Sequence, residues 1–332
     1  MATGNLIPTE LSFVGIAKET VPNTPVAPSN YLRPTGLTPQ IVIPPLADNS
    51  ITGDMGKTAN IVQGPTQQTF QIDGPVFCDE IGWSLAALLG DLTVTGAGDP
   101  FTTTFSLLNT SPGQPKTYTI TDYNGSQARA YANSVCSELT VNFTSDGLVT
   151  YTSMWQGIAF GTATKPTQSY TTTVVQPAWA ATVSLNAIVG VLVTDFSITI
   201  KRTVTPVPAL GGQSVDAQFA GGDLEATGSL TAVYDSTNGE TVLGLYTGSA
   251  GASTQVPLSI DLSPAGSPAR ELKFQMTTAV LDNVTNTRET ASYNKLACTF
   301  QGVKNATDVG TSAGKAPVKV TTKAGLASGT YA

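Results

Sequence analysis

SMWQG, residues 153–157, closes an apolar run with an aromatic residue, glutamine and glycine, and CTFQG, residues 298–302, closes another the same way. Three shared residues can recur by chance, so the echo asks for agreement elsewhere in the chain. Shifting the first half by 157 residues carries Gly64 onto Gly221, Val76 onto Val233 and Phe77 onto Tyr234. Without a gap, Leu85 then falls on Val242, Leu88 on Leu245 and Leu89 on Tyr246, so a strand and a helix agree in position and in apolar face. At the two closing pentads the shift is 145, and a loss of 12 residues between helix and last strand reconciles the offsets (157 − 145 = 12). This reads as a tandem duplication, with two pseudo-equivalent β domains at 35–160 and 195–305. Around them lie an extended N-terminal arm (1–34), a connecting segment (161–194) and a C-terminal extension (306–332). The competing account is that any two β-rich halves can be slid into resemblance.

Outward from the repeat, composition agrees with strands. The 332 residues are 40% hydrophobic and only 12% charged, about half the charge of an ordinary soluble domain, so much of the surface is expected to be covered. Runs such as FTTTFSLL (101–108), SYTTTVV (169–175) and FSITIKRTVT (196–205) are rich in β-branched and aromatic residues, which suit a pleated, half-buried backbone. Glycine and proline punctuate these runs. The fold class is therefore mainly β, with one short helix flanking the sheets of each half. The first helix is CDEIGWSLAALLGD (78–91), where Ile81, Leu85, Leu88 and Leu89 form one stripe and Asp79 and Glu80 suit the positive end of the dipole. The second is STNGETVLGLYTG (236–248). Strands are expected at 35–45, up to 77, at 101–108, 116–122, 138–144, 148–159, 196–205, 224–235, 255–262, 271–280 and 293–302. The proline-rich VPNTPVAPSNYLRP (21–34) reads as an extended arm rather than a core element, or as an ordinary frayed end. Two loops, 46–60 and 205–222, fall at equivalent places in the repeat.

The sequence excludes more chemistry than it offers. There is no histidine, which removes the commonest general base and metal ligand together. Ser-His-Asp and Cys-His arrangements and imidazole zinc sites go with it. No dinucleotide-binding, P-loop or nucleophile-elbow motif is present, and TGAGDP (95–100) lacks a third glycine and a following helix. A hydrolase using carboxylates alone stays open through Asp223 and Glu225, two apart and on one strand face, but no third feature supports it. The chain reads as a non-enzyme with no cofactor and no metal. Cys78, Cys136 and Cys298 are odd in number and far apart, so they read as small buried hydrophobes. Trp83 and Trp155 read as core. The net charge of −7 argues against specific nucleic-acid binding, which wants a basic stripe. Neither a Sec signal peptide nor a membrane span is expected; the most apolar window, AATVSLNAIVGVLV (180–193), is interrupted by Thr, Ser and Asn.

The opening FVGIAKETVPNTPVAPSNYLRPTG (13–36) resembles the N-terminal segment of tail tube proteins of long-tailed bacteriophages, with a Gly-x-x-x-Glu stretch, a Thr/Pro/Ala segment and an aromatic residue. The order of loop, strand, short helix and strands is similar to their tube domain along nearly the whole chain. The resemblance implies β-sandwich-like domains, six around a channel, whose strands join into one barrel. It also implies stacked rings that form a tail tube around a tape-measure protein and pass DNA without specific binding. Tail terminator and baseplate or tail-tip proteins would be further partners. Assembly would occur in the host cytoplasm, with release by lysis. Members with one domain per chain make hexamers, so two domains imply a trimer with pseudo-sixfold symmetry, the alternative being a hexamer. Three copies would carry −21 (3 × −7), and acid facing the lumen would keep DNA from sticking. Asp48, Asn49, Asp54, Lys57, Pro208, Gly211, Gln213 and Asp216 are the candidate inter-subunit or ring-stacking loop residues. Asp54, Asp223 and Glu225 are the candidate lumen-facing acids; solvated outer loops are the other reading for each. The rival function is a secreted or surface β-sandwich binding or adhesion module.

Overall fold

Alternation decides most of the backbone. In Gln67–Pro75 every second residue is buried, and Thr150–Ile158 repeats the pattern, so each strand turns one face to a core and the other away from it. The computed structural model describes residues 6–188, 191–248, 254–264, 266, 269–326 and 330–331. Parts of the expected arm (1–5), connecting segment (189–190), second half (249–253, 265, 267–268) and C-terminal extension (327–329, 332) lie outside the described residues.

The protein is mainly β. Its first strands are β1 (Phe13–Lys18), β2 (Asn30–Leu32), β3 (Gly36–Val42), β4 (Pro45–Asp48), β5 (Asn60–Gln63) and β6 (Gln67–Pro75). Helix α1 (Ile81–Leu89) precedes β7 (Gly90–Thr95), β8 (Phe101–Leu107), β9 (Tyr118–Tyr123), β10 (Ala128–Thr144), β11 (Thr150–Ile158) and β12 (Gly161–Ala163). Then come β13 (Ala181–Leu185), β14 (Val193–Pro208), β15 (Val215–Val233) and α2 (Gly239–Thr247). The chain finishes with β16 (Val256–Leu262), β17 (Glu271–Thr287), β18 (Lys295–Gly302) and β19 (Lys319–Ala324).

Eight strands make one continuous antiparallel sheet in the order β3-β6-β11-β10-β14-β15-β18-β17. The long strands β10 and β17 bend, and their first halves enter a second layer. There β10 lies between β9 and β12, with β1 and β2 beyond β9, while β17 lies between β16 and β19, with β13 beyond β16. The β7–β8 hairpin joins the latter layer through β19. One apolar core runs through both halves, centred on Trp83, Trp155, Phe70, Phe274 and Phe300.

The pairing scheme is written twice. Tyr118 faces Ser134 and Ile120 faces Tyr131 across a bulge, and Val256 faces Ala279 and Leu258 faces Met276 across another. A second bulge falls between Cys136 and Glu138 against β11, and between Leu281 and Asn283 against β18. Both bulged positions of β10 meet those of β17 at an offset of 145 (276 − 131 and 281 − 136). The helices start 158 apart (239 − 81), and Val76 N–H bonds Val149 O as Tyr234 N–H bonds Asn294 O. The backbone thus matches one residue further along than the sequence shift of 157. That places Val76 with Tyr234 in the strand, whereas within the helices the buried faces still match at 157, Leu85 with Val242 and Leu88 with Leu245. The strand's buried face explains its register: a shift of 158 lays Gln68, Ile72 and Gly74 on Ala226, Leu230 and Ala232, all buried, whereas a slip of one would turn every side chain over.

Several expectations need correcting. Phe13–Lys18 is not arm but a nearly fully buried strand, because Phe13, Val14 and Ile16 each gain about 1.5–3 kcal/mol from burial beside β9, and the proline cluster from Pro22 onward follows it. Asp79 and Glu80 lie just before the helix, with Glu80 at its N-cap, rather than in its first turn. The helix starts at Ile81, and both carboxylates are buried and hydrogen-bonded, Asp79 by Thr173 Oγ1 and the Gly325 N–H, Glu80 by Arg33. Helix α1 has no polar face; all nine residues are buried, and it stops at Gly90, whose left-handed φ of 84° returns its N–H to Ala86 O. Strands also run further than expected: β10 begins at Ala128, and β15 begins at Val215, inside the stretch read as loop 205–222.

Candidate assembly surfaces

Three surfaces are left open by this architecture, and the sequence-derived candidates fall on two of them. The first is a pair of projecting hairpins. Among the described residues strands β4 and β5 pair only with each other, all eight of their residues exposed, and carry the tip 49–59. The tip is built of short-range Asx geometry. Asp48 accepts hydrogen bonds from the Ser50 hydroxyl and N–H, which hold its carboxyl below the usual range. Asn49 accepts from Thr58 Oγ1 at 3.1 Å, and Asp54 accepts from the Gly56 N–H at 2.8 Å and Thr52 Oγ1 at 3.1 Å. Lys57 is exposed beside them. The second hairpin joins β14 to β15 between Pro208 and Val215, where Gly211 turns at a φ of +92° with open space around it.

The two hairpin bases meet. Thr66 N–H bonds Gln213 O at 2.7 Å, Val215 N–H bonds Thr66 O at 3.0 Å, and Gln213 reaches the Gln63 side chain at 3.3 Å. Asp216 lies at the same base, its carbonyl accepting from Asn23 at 2.6 Å, so of the eight loop candidates it is tied through its backbone to the N-terminal segment. Missed in the sequence was the apolar content of these projections. Ile51, Met55 and Leu210 are fully exposed, and Leu46, Ile61 and Val62 are more than half exposed. The residues were visible in SITGDMG, but their glycines and acids made the loop look solvated. Apolar groups held out from the body in this way mark contact surfaces.

The second surface is the face of the eight-stranded sheet turned away from the core. Its registered rows are strings of hydroxyl and amide side chains. One crosses the sheet as Asp73, Thr152, Thr140, Thr199, Thr227 and Gln301. Thr152 Oγ1 donates to Asp73 at 2.7 Å and the Thr140 and Thr199 hydroxyls meet at 2.8 Å. The neighbouring row brings Glu138, Lys201 and Glu225 side by side, with Lys201 Nζ 3.8 Å from Glu138. Asp223 and Glu225 flank buried Leu224 and line a cleft of about 690 Å³, together with Lys304 and Lys315. That cleft is mixed in charge. Asp54 stands apart from them on the β4–β5 hairpin.

The third surface, unforeseen in the sequence, is a pair of sheet edges. Among the described residues, strand β3 pairs with β6 on one side only, and the last residues of β17 pair with β18 on one side only. Among the described residues no cluster of His, Cys, Asp and Glu could hold a metal ion, and no helix is long and apolar enough to cross a membrane. Cys78, Cys136 and Cys298 are buried free thiols, and burial pushes the thiols of Cys78 and Cys298 up to about 12 and about 11.

No curated protein matches the chain. The family described as phage tail tube protein matches residues 9–302, most of its length and both helices. The chain belongs to that family and is a structural protein of a bacteriophage tail.

Proposed function

We propose that the chain closes into rings that stack into the tail tube, a channel through which DNA leaves the virion. The observation that carries this is the eight-stranded sheet, made of two successive four-stranded sets with matching order and bulges, β3-β6-β11-β10 and β14-β15-β18-β17. Two such units per chain fit a ring of three chains with pseudo-sixfold symmetry; the alternative is six. The domain reading of 35–160 and 195–305 as copies of one ancestral unit belongs to this proposal.

In it, the polar face of the sheet lines the channel. Hydroxyls and amides satisfy water, and an excess of acids over Lys201 and Lys295 on registered positions repels phosphate rather than binding it. Asp223 and Glu225 belong to that lining and Asp54 does not. The two hairpins, with Asp48, Asn49, Asp54, Lys57, Pro208, Gly211, Gln213 and Asp216, reach the adjacent subunit or the next ring. A tape-measure protein occupies the lumen during assembly in the host cytoplasm, terminator and tail-tip proteins close the ends, and lysis releases the particle.

Negative-stain microscopy of the purified protein tests this. Tubes or stacked rings are expected, with an averaged top view of three subunits. A sample that stays monomeric at high concentration overturns it.

A further inference from the structure

Inside the chain the two four-stranded sets are joined by β10 and β14. Seven registered pairs run from Glu138 opposite Lys201 to Thr144 opposite Asp195. Toward the core this joint packs Leu139 on Ile200, Val141 on Ile198, and Phe143 edge-on against Phe196 at 5.9 Å. All six are at most 4% exposed. The pairing scheme maps β10 onto β17 at an offset of 145. It maps β3 onto β14 at an offset of 159, because Leu37 faces Ile72 as Phe196 faces Leu230, and Ile72 maps onto Leu230. The strands equivalent to the two sides of the inner joint are therefore β17 and β3, the two open edges.

We infer that one chain binds a second copy of itself by repeating its inner joint between chains, β17 of one molecule pairing antiparallel with β3 of the next. This rests on the tube reading and adds the edges and the register. Applying the offsets to the five pairs that fall within β17 sets Asn283 opposite Val42, Val284 opposite Ile41, Thr285 opposite Gln40, Asn286 opposite Pro39, and Thr287 opposite Thr38. Two observations support the match beyond topology. Ile41 faces the core side, in line with buried Gln68, yet is 49% exposed, whereas its counterpart Ile200 is 0% exposed beneath its partner strand. At the other edge Val284 is half-buried, and Asn286 Oδ1 is buried with no hydrogen-bond partner among the described residues, so the core is unfinished along both strands. Pro39 has no N–H, so the ladder between chains runs one donor short. That weakens pairing between free chains and suits an edge that must not aggregate before assembly.

The test uses cysteines on the polar face of the full chain. With Thr285→Cys and Gln40→Cys together, oxidation of assembled protein should give covalently linked multimers on a non-reducing gel, ending at the closed ring. The control, Thr287→Cys with Val42→Cys, sits about 13 Å out of register on the same face, too far for a disulfide, and should give at most a tenth of that linkage. Rings or tubes without linkage at 40 and 285, or equal linkage in the control, overturn the register while leaving the tube standing. Wild-type protein that never assembles overturns both. Independently, Ile41→Asp should raise the concentration needed for assembly at least tenfold with the monomer's melting temperature unchanged; assembly at the wild-type concentration counts against the joint.

Discussion

At the scale of single residues, two buried carboxylates make opposite predictions about pH. Glu80 is 5% exposed; burial pushes its carboxyl up, and Arg33 pulls it back through its backbone N–H, its charge and its guanidinium. The same guanidinium lies 3.5 Å over the Phe77 ring and donates to the carbonyls of Thr171 and Thr173. Arg33→Ala should cost about 3–5 kcal/mol in denaturant unfolding, because it strands a buried charge. Adding Glu80→Gln should recover part of that. Since a raised carboxyl favours the folded state once protonated, the deficit of Arg33→Ala should shrink as pH falls from neutrality toward ~4.5. Asp91 runs the other way. Burial raises it, but donors from Thr311, the Ser312 N–H, Ser106 and the Ser312 hydroxyl outweigh that and hold it below the usual range. It therefore stabilises the fold above ~pH 4 and loses that contribution as pH falls through its lowered value, so the gap between wild type and Asp91→Asn should close in acid. Urea titrations at several pH values check both. Neither partner was legible in the sequence: Asp91 and Ser312 are brought together only by the tertiary fold.

At the scale of elements, the clearest case is the end of the chain. Tyr331 is 1% exposed and stands edge-on to Trp83 at 5.1 Å and Phe105 at 5.8 Å, while its hydroxyl donates to Asp79 O at 2.9 Å. A Cβ on Gly82 would come within 2.5 Å of its ring, which is why that helix position carries none. Tyr331→Ala should cost about 3–5 kcal/mol, measured by chemical denaturation. A loss under 1 kcal/mol would contradict the packing. Elements with their own signal were readable: α1 from its leucines, β6 and β11 from strict alternation, Trp83 and Trp155 from their size. The first halves of β10 and β15 were not, since ARAYANSVC and VDAQFAGGD carry alanine, glycine and polar residues that become strand only through the neighbours they pair with. Strand β1 was hidden by the prolines that follow it, and the edges by the fact that an unpaired strand has the same composition as a paired one.

At the scale of the whole molecule, the proposed channel lining makes a prediction about DNA. Assembled tubes should retain no duplex DNA at physiological salt in a filter assay. Replacing Asp73, Glu138 and Glu225 by lysine should create retention that falls steeply as salt rises, because each added cation releases counterions from the phosphates. Retention that ignores salt, or none at all, would mean this face does not meet the DNA. The closing pentads share the 145 offset of the bulged strands, while the shift of 157 read before the helix lies one residue from the hydrogen-bond match at 158.

The hairpin β7–β8, encoded in the first half, completes a layer of the second through β19, while Tyr331, encoded at the far end, fills the centre of the first. Each half carries a piece that the packing of the other needs. A gene cut back to either half would express a fragment with a hole in it. Two fragments made separately should instead find each other and restore one body.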